Sequence, residues 1–280
     1  MLLFHHCNSG MKQWITSTLS FLVMAIGLLL SVPGNALAGG IVERNDLNSI
    51  FVKHRLTGTF VLFSPFDDRL TVVNAERAAK RFIPASTFKI INSLIALQTG
   101  VVRDQNEIIP FGGKPQPFKS WEKDMSMKDA IRISNVPVYQ EIARRVGLNR
   151  YIDWLQRLQY GNRLVGQDVE TFWLHGPLKI SAIEQVRFLA RLAQKELPVK
   201  PGLQSMTMKI IKLQTKSGKS LYGKTGWTNT PDPDLGWFVG SVVAGERLHT
   251  FALNIDIRTR RDAKYRKPVA LEFLKQLGIF

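Results

Sequence analysis

Cysteine is almost absent from this chain: the only one is Cys7, in the N-terminal segment. Beyond that segment, a disulfide framework and a cysteine-based metal site are both excluded. The rest of the chain must therefore be held together by a buried hydrophobic core. About 240 residues are enough for one large unit or for two closely packed subdomains.

Histidine is scarce as well, with five in the whole chain. His54, His175 and His249 are the ones beyond residue 38, and they are far apart without the spacing of metal ligands. Sequences of the Gly-x-Ser-x-Gly, Walker and dinucleotide-fingerprint types are also missing. We therefore expect no metal ion and no nucleotide cofactor, and a zinc hydrolase is disfavoured.

Acidic residues are few, 22 against 38 lysines and arginines, which leaves a net charge of +16. Such an excess attracts anions, for example a carboxylated substrate, an anionic cell surface or a nucleic acid. The basic residues are spread along the chain, and no basic run is interleaved with stacking aromatics. We interpret the excess as a solvated basic surface and expect no nucleic-acid partner.

Only one long apolar run is present, from Trp14 to Val32, and it follows Lys12. Small residues, Ala36 and Ala38, stand at the −3 and −1 positions of a cut after Ala38. This pattern predicts a secretory signal peptide over residues 1–38 and export to the periplasm. An uncleaved anchor is the alternative, because the run is long enough to span a bilayer. With cleavage we expect no stable membrane insertion.

Hydrophobic periodicity predicts strands near both ends of the chain and helices between them. The strands are predicted at 58–63, 70–73, 221–227, 236–244 and 248–256. The helices are predicted at 86–97, 127–133, 138–146, 149–159, 181–196, 204–213 and 267–277, with a loop over 101–125. This order indicates an α+β fold with an antiparallel sheet and an inserted helical subdomain. We place the sheet-containing part at 39–85 and 178–280, and the mainly helical part at 86–177.

Four short motifs occur in one order along the chain. They are Ser86-Thr87-Phe88-Lys89, Ser134-Asn135-Val136, Tyr160-Gly161-Asn162 and Lys224-Thr225-Gly226. Alone, Ser86 and Lys89 would indicate a helix-capping serine with an exposed lysine. Together the motifs describe a serine nucleophile, a base one helical turn away, a proton relay and an anion-binding strand. Burial among apolar groups would lower the pKa of the lysine and leave the neutral amine that such a base requires.

The ordered set matches the pattern of active-site serine penicilloyl enzymes. Because Val136 replaces asparagine in the second motif and Tyr160-Gly161-Asn162 follows, the chain resembles the class D (oxacillinase-type) β-lactamases. The resemblance implies the penicillin-binding/β-lactamase fold over residues 39–280. In that fold a five-stranded antiparallel sheet flanked by helices stands beside an all-helical subdomain, and the active site lies in the cleft between them.

The resemblance also implies hydrolysis of β-lactams through an acyl-enzyme on Ser86, with Ser134 as the proton relay. In this family the lysine amine reacts with carbon dioxide, which would make Lys89 an N6-carboxylysine and the base of both steps. Carbon dioxide or bicarbonate is then the only accessory group expected. The pocket around it would be formed by Val136, Trp173 and Leu174, the last two within Phe172-Trp173-Leu174.

Further residues are implied to bind the substrate. Lys224 and Thr225 would meet its carboxylate, and Gly226 would let it approach closely. The N–H groups of Ser86 and Trp227 would form an oxyanion hole. Arg266, nine residues beyond Ile257, would bind the carboxylate bidentately through its planar N–H donors; its competitors are Arg258, Arg260 and Arg261. Phe118 and Trp121 would form an aromatic wall, with plain core burial as the alternative.

Three other interpretations stay open. A penicillin-binding D,D-peptidase shares the acylation step but traps the drug, and a penicillin-sensing domain would bind without turnover. A catalytically silent, exported basic protein would not be acylated at Ser86.

Tyr160-Gly161-Asn162 has a plainer interpretation as a turn that ends a helix. We expect a small β-lactam as the partner, and the sequence leaves open whether the protein is a monomer or a homodimer.

Overall fold

A mixed β-sheet occupies the centre of this computed structural model, which describes residues 40–229 and 232–280. The predicted signal peptide therefore lies outside the described residues. Nine strands are described: β1 (Ile41–Glu43), β2 (Gly58–Ser64), β3 (Arg69–Val73), β4 (Ile108–Ile109), β5 (Met125–Ser126), β6 (Lys212–Lys216), β7 (Lys219–Thr228), β8 (Asp234–Ala244) and β9 (Arg247–Ile257). In the main sheet they run in the order β1-β3-β2-β9-β8-β7-β6, and β4 and β5 pair separately.

The helices pack on both sides of this sheet. They are α1 (Asn48–His54), α2 (Ala75–Ala79), α3 (Lys89–Gln98), α4 (Met127–Arg132), α5 (Val136–Val146), α6 (Leu148–Leu158), α7 (Ala182–Gln194), α8 (Pro201–Ile210) and α9 (Asp262–Gln276). None of the helices over 40–229 and 232–280 is both long and apolar enough to cross a membrane.

The prediction of five antiparallel strands was wrong in number: the main sheet has seven strands over the described residues. Five of them, β3, β2, β9, β8 and β7, are antiparallel neighbours, as predicted. The two additional strands are its edges, and β1 pairs with β3 in parallel. Every residue of β1 and β6 is exposed, so neither strand carries an apolar pattern that could reveal it.

Strand β6 also corrects the predicted helix over 204–213, which ends at Ile210. The chain turns back at Ser217 and Gly218, both with positive φ, 50° and 74°. Two such residues form the tight turn whose twist suits a β-hairpin. β6 pairs with β7 only as far as Tyr222, so the edge of β7 over 223–228 has no strand beside it in the described chain.

Most other predicted elements are confirmed. The hairpin of β2 and β3, the helix that follows Ser86 and the helices α4 to α6 lie within a few residues of their predicted bounds. Ser181 and Glu184 form the predicted capping box, because each side chain accepts the backbone N–H of the other. Helix α9 begins at Asp262, five residues before its predicted start, and continues through Pro268.

Two hydrophobic clusters fix the sheet between its helices. Alternate residues of β2 supply opposite clusters, Val61 to one and Phe60 to the other. The first cluster joins the sheet to α3, α5 and α7; in the second, Phe60 stacks on Phe273 of α9 with centroids 4.5 Å apart. The 3-10 turn Ala85–Phe88, which leads into α3, lies against β7. The predicted division at 85/86 and 177/178 stays a prediction.

Candidate active site

A cleft of about 360 Å³ lies beside the free edge of β7. Its lining residues are Ser86, Phe118, Ser120, Trp121, Ile133, Ser134, Val136, Leu174, Thr225, Trp227 and Arg266. Nine of these were named from the sequence as site residues, although they are scattered over 86–266. The remaining candidates, Lys89, Trp173, Lys224 and Gly226, do not line this cleft, and all four are buried.

Ser86 stands in a 3-10 turn, Ala85–Phe88, which continues into α3. One helical turn later, the Nζ of Lys89 lies 2.9 Å from the Oγ of Ser86. Because residues three apart share one helix face, the Ser-x-x-Lys spacing places the amine on the hydroxyl. The pair has the geometry of a nucleophile with its base.

Left-handed backbone presents both serines of the site. Ala85, directly before Ser86, has φ 49°, and Ser134 itself has φ 57°. A residue other than glycine in this region costs roughly 1–3 kcal/mol, and such strain is concentrated at functional sites. Nothing in the local sequence signals these conformations, so the sequence did not predict them.

Lys89 is completely buried, with 0% of its surface exposed. Its Nζ lies 4.6 Å from the ring centroid of Trp173 and 5.3 Å from that of Tyr139. No carboxylate pairs with it in the part of the chain that the structure describes. Burial first, and then the nearby charge of Lys224, lowers the pKa of Lys89 well below its usual value. A lysine in this setting is able to accept a proton.

A buried polar network that the sequence did not reveal supports Lys89 from below. The Oγ of Ser93 donates to the carbonyl of Lys89 at 2.8 Å and lies 2.7 Å from the hydroxyl of Tyr139. Back-bonding of a serine to the carbonyl four residues earlier is common within helices. Through Tyr139 it fastens the first turn of α3 to α5 and so fixes the position of the amine.

Trp173, whose ring lies beside the amine of Lys89, is fully buried. Its Nε1–H has no hydrogen-bond partner among the described residues. In contrast, the Nε1–H of Trp237, which is equally buried, donates to the carbonyl of Ile83 at 2.9 Å. A buried donor without an acceptor costs about 1–3 kcal/mol. The indole of Trp173 therefore marks a place where an acceptor would fit.

Lys224 connects β7 to the second serine. Its Nζ donates to the Oγ of Ser134 and, at 2.8 Å, to the carbonyl of Thr225. Burial, followed by the charge of Arg266, lowers the pKa of Lys224 to about 7. Ser134 and Lys224 come from distant parts of the sequence, yet they form one hydrogen-bonded pair at the cleft.

Of the four arginines considered from the sequence, Arg266 lines the cleft. Its Nε donates to the carbonyl of Ala263 at 2.6 Å, and its Nη1 to that of Gly226 at 2.7 Å. Burial lowers the pKa of Arg266 to about 10, so it stays protonated at neutral pH. Arg258 and Arg261 instead bond to the side chains of Thr57 and Tyr265.

Gly236 leaves room for the side chain of Arg266, a role that was not predicted from the sequence. A Cβ at this residue would lie 3.0 Å from the Cδ of Arg266 and 2.7 Å from the Cδ1 of Ile257. The register pairs Gly236 with Trp227 on the neighbouring strand. A glycine inside a strand often marks such a close approach, and that signal could have pointed to it.

Gly226 was predicted to admit the substrate, and the structure gives it a further reason. A Cβ there would lie 3.0 Å from the carbonyl oxygen of Pro84 and 3.2 Å from the Cγ2 of Thr87. The glycine thus lets β7 approach the turn that carries Ser86. The close approach of a substrate at Gly226 stays a prediction.

We expect Gly226→Ala to push this turn away from β7. Overpacking should lower the free energy of unfolding by about 1–3 kcal/mol. A small displacement of Ser86 should lower kcat/KM by roughly ten-fold or more. Gly202→Ala is the matched control, because a Cβ there meets nothing within 4 Å. Urea unfolding and steady-state kinetics measure both effects, and equal behaviour of the two variants would contradict this account.

The second motif also holds the aromatic wall. Asn135, to which the sequence assigned no role, caps α5 by accepting the N–H of Val138 and donates to the carbonyl of Trp121 at 3.2 Å. The rings of Trp121 and Phe118 meet edge to face, with centroids 4.8 Å apart. Phe118 is 56% exposed, so core burial does not account for it. The pair forms one side of the cleft.

Tyr160-Gly161-Asn162 forms a turn that fastens a neighbouring segment. At Gly161, with φ 55°, a Cβ would lie 2.2 Å from the carbonyl oxygen of Lys179. The side chain of Asn162 donates to the carbonyl of Pro177 and accepts the N–H of Lys179, both at 2.9 Å. This fixes the chain just after Trp173, so the plainer interpretation as a turn fits the motif.

Comparison with known proteins gives consistent results. A family model described as the penicillin binding protein transpeptidase domain matches residues 58–275. Beta-lactamase OXA-5 of Pseudomonas aeruginosa is 36% identical over 260 residues, covering 92% of this chain and 97% of that protein. Beta-lactamase OXA-48 of Klebsiella pneumoniae is 35% identical over 253 residues, covering 90% and 96%.

Among solved structures, the class D β-lactamase FUS-1 (OXA-85) from Fusobacterium nucleatum subsp. polymorphum superposes with a TM-score of 0.82. It is 37% identical in sequence, and the match covers 85% of this chain and 100% of that one. The shared fold, the extent of the matches and the ordered motifs lead to one conclusion. The chain belongs to the class D β-lactamase family.

Proposed function

We propose that this protein hydrolyses β-lactam antibiotics through an acyl-enzyme on Ser86. The observation that carries the proposal is the contact between Ser86 and the fully buried amine of Lys89, at 2.9 Å. Beside it, Lys224 and Arg266 supply positive charge for the carboxylate that every penicillin carries. The names of the related β-lactamases support the same activity.

Acylation would use residues that already touch one another. The Oγ of Ser86 forms a bond to the lactam carbonyl carbon, and its proton passes to the side chain of Lys89. As the C–N bond of the lactam breaks, Ser134 gives its proton to the leaving nitrogen and is resupplied by Lys224, its hydrogen-bond donor. The backbone N–H groups of Ser86 and Trp227 would stabilise the negative charge on the carbonyl oxygen.

Deacylation requires a base that activates water, and a carboxylated Lys89 would supply it. When carbon dioxide is attached, the side chain carries a basic oxygen at neutral pH. The residues fit this group: the amine of Lys89 is buried and its pKa is lowered, which favours the neutral form, and the Nε1–H of Trp173 is a buried donor without a partner among the described residues. Val136 and Leu174 line the cleft nearby and would exclude bulk water.

We infer that the protein acts in the periplasm, after removal of the signal peptide predicted over residues 1–38. The charge pattern and the small residues before the predicted cut support this location.

The test is hydrolysis of a chromogenic cephalosporin by the purified protein, followed by intact mass, with Ser86→Ala as the control. We expect repeated turnover by the wild type and neither turnover nor adduct in the variant. A stable adduct without turnover would instead indicate a D,D-peptidase or a penicillin sensor. The absence of any adduct would refute the role of Ser86.

The state of Lys224 predicts the basic side of the pH profile. Because its pKa is lowered to about 7, Lys224 loses its proton as the pH rises above that value. Its attraction for the substrate carboxylate then weakens, and we expect kcat/KM to fall about ten-fold between neutral pH and pH 9. Lys224→Arg should keep its charge and flatten this fall, since a guanidinium titrates far higher. An identical fall in both proteins would assign it to another group.

A further inference from the structure

Trp227 directly follows the Lys-Thr-Gly motif, and its indole forms one wall of the cleft. The residue is 39% exposed, which is unusual for so large a side chain. An exposed aromatic side chain loses conformational freedom when a ligand packs on it, unless the protein already holds it in place. The contacts of this indole therefore decide whether it is a prepared binding surface.

The register of the sheet brings an acid to this ring. Trp227 faces Gly236 across the β7–β8 ladder, and Asp234 stands two residues from Gly236 on the same face. Diagonal neighbours of this kind are within reach of long side chains. The Nε1–H of Trp227 donates to the Oδ2 of Asp234 at 2.9 Å.

The guanidinium of Arg266 contacts the same ring. Its central carbon lies 5.7 Å from the ring centroid of Trp227, and the absence of a side chain at Gly236 leaves room for its stem. Arg266 is itself held by the carbonyls of Ala263 and Gly226. The indole is thus fixed at its nitrogen by Asp234 and packed by a cation that cannot easily move.

We propose that Asp234 is a positioning residue for substrate specificity. By accepting the indole N–H, it holds Trp227 as a rigid apolar wall on which the hydrophobic side chain of a β-lactam packs. This inference rests on the proposed function for its ligand class. The polar edge of the ring is turned toward Asp234, so the contact offered to a ligand is made by ring carbons.

The first test detects the hydrogen bond between Trp227 and Asp234 without measuring catalysis. In ¹⁵N–¹H spectra, the indole N–H of Trp227, assigned with Trp227→Phe, should exchange with solvent about ten-fold faster in Asp234→Ala than in the wild type. Asp234→Asn keeps an acceptor oxygen and should retain the protection. Asp232→Ala removes the same charge from an exposed neighbour and should also behave as the wild type. Equal exchange rates in all four proteins would refute the claim that Asp234 holds the indole of Trp227.

The second test compares two penicillins with the same nucleus. Benzylpenicillin carries an aromatic acyl side chain, and 6-aminopenicillanic acid carries none. In Asp234→Ala the side chain of Trp227 is no longer held, so binding of benzylpenicillin must order it. The entropic cost should raise the KM of this variant for benzylpenicillin about three- to ten-fold. Its KM for 6-aminopenicillanic acid and both kcat values should stay within about two-fold, since the reacting groups are untouched. Asp234→Asn should restore the benzylpenicillin KM.

The outcomes separate this inference from the proposed function. Equal losses for both penicillins, or no loss for either, would overturn the specificity role while leaving hydrolysis intact. If the wild type is acylated but does not turn over, hydrolysis fails, and the same comparison is made with the second-order rate of acylation by intact mass. If the wild type is not acylated at all, both proposals fail.

Discussion

Lys89→Ala is expected to lower kcat/KM for penicillins by at least about 10³-fold while the protein stays folded. The amine of Lys89 is in contact with the Oγ of Ser86. No carboxylate among the described residues forms an ion pair with this amine, so none lies beside it that could act as the base in its place. Without a base, the hydroxyl keeps its proton and attacks poorly. Steady-state kinetics and circular dichroism together measure the two halves of this expectation.

Lys89→Met keeps most of the side-chain volume and serves if the alanine variant fails to fold. Because burial lowers the pKa of Lys89 in the folded protein, protonation of this amine favours the unfolded state. In bicarbonate-free buffer the methionine variant should therefore have the higher Tm at pH 7. The difference should shrink as the pH rises toward 10.5, the ordinary lysine value. Full activity in either variant would refute Lys89 as the base.

Trp173→Phe is expected to slow deacylation by roughly 10- to 100-fold, with a smaller effect on acylation. The change keeps an aromatic ring in the pocket and removes the buried Nε1–H that has no partner in the described residues. If that donor holds the carboxylated form of Lys89, added bicarbonate should recover part of the rate. Single-turnover kinetics with a penicillin separate the two steps.

Trp237→Phe is the matched control for this prediction. It removes an equally buried indole N–H, but one that already bonds to the carbonyl of Ile83. We expect it to destabilise the protein by about 1–3 kcal/mol, because that carbonyl loses its donor. Its activity should respond to bicarbonate to the same extent as that of the wild type. If Trp173→Phe slowed acylation alone, Trp173 would be a packing residue.

The residues that gather at the site were largely predictable, because short-range spacing and motif order carry their chemistry. Ser86 and Lys89 are related by one helical turn, and Lys224 to Trp227 lie on one strand. What the sequence could not show depends on long-range contact. The bond from Asn135 to Trp121, the room that Gly236 makes for Arg266, and the bond between Asp234 and Trp227 all join residues from different elements.

The same distinction holds for the fold. Buried strands such as β2 carry continuous apolar runs and were predicted nearly to the residue. β1 and β6 have no buried residue, and they form because a neighbouring strand offers free N–H and C=O groups. The left-handed backbone at Ala85 and Ser134 is imposed by the surrounding packing, so local propensity gives no sign of it.

The central claim is that Ser86 forms an acyl-enzyme and that carboxylated Lys89 is the base for its hydrolysis. The most direct test follows the intact mass of the wild type over time after mixing with a penicillin, in bicarbonate-free and in bicarbonate-containing buffer. We predict a single adduct on Ser86 that disappears, and that disappears faster with bicarbonate. An adduct that persists equally in both buffers, or hydrolysis without any adduct, would contradict the account.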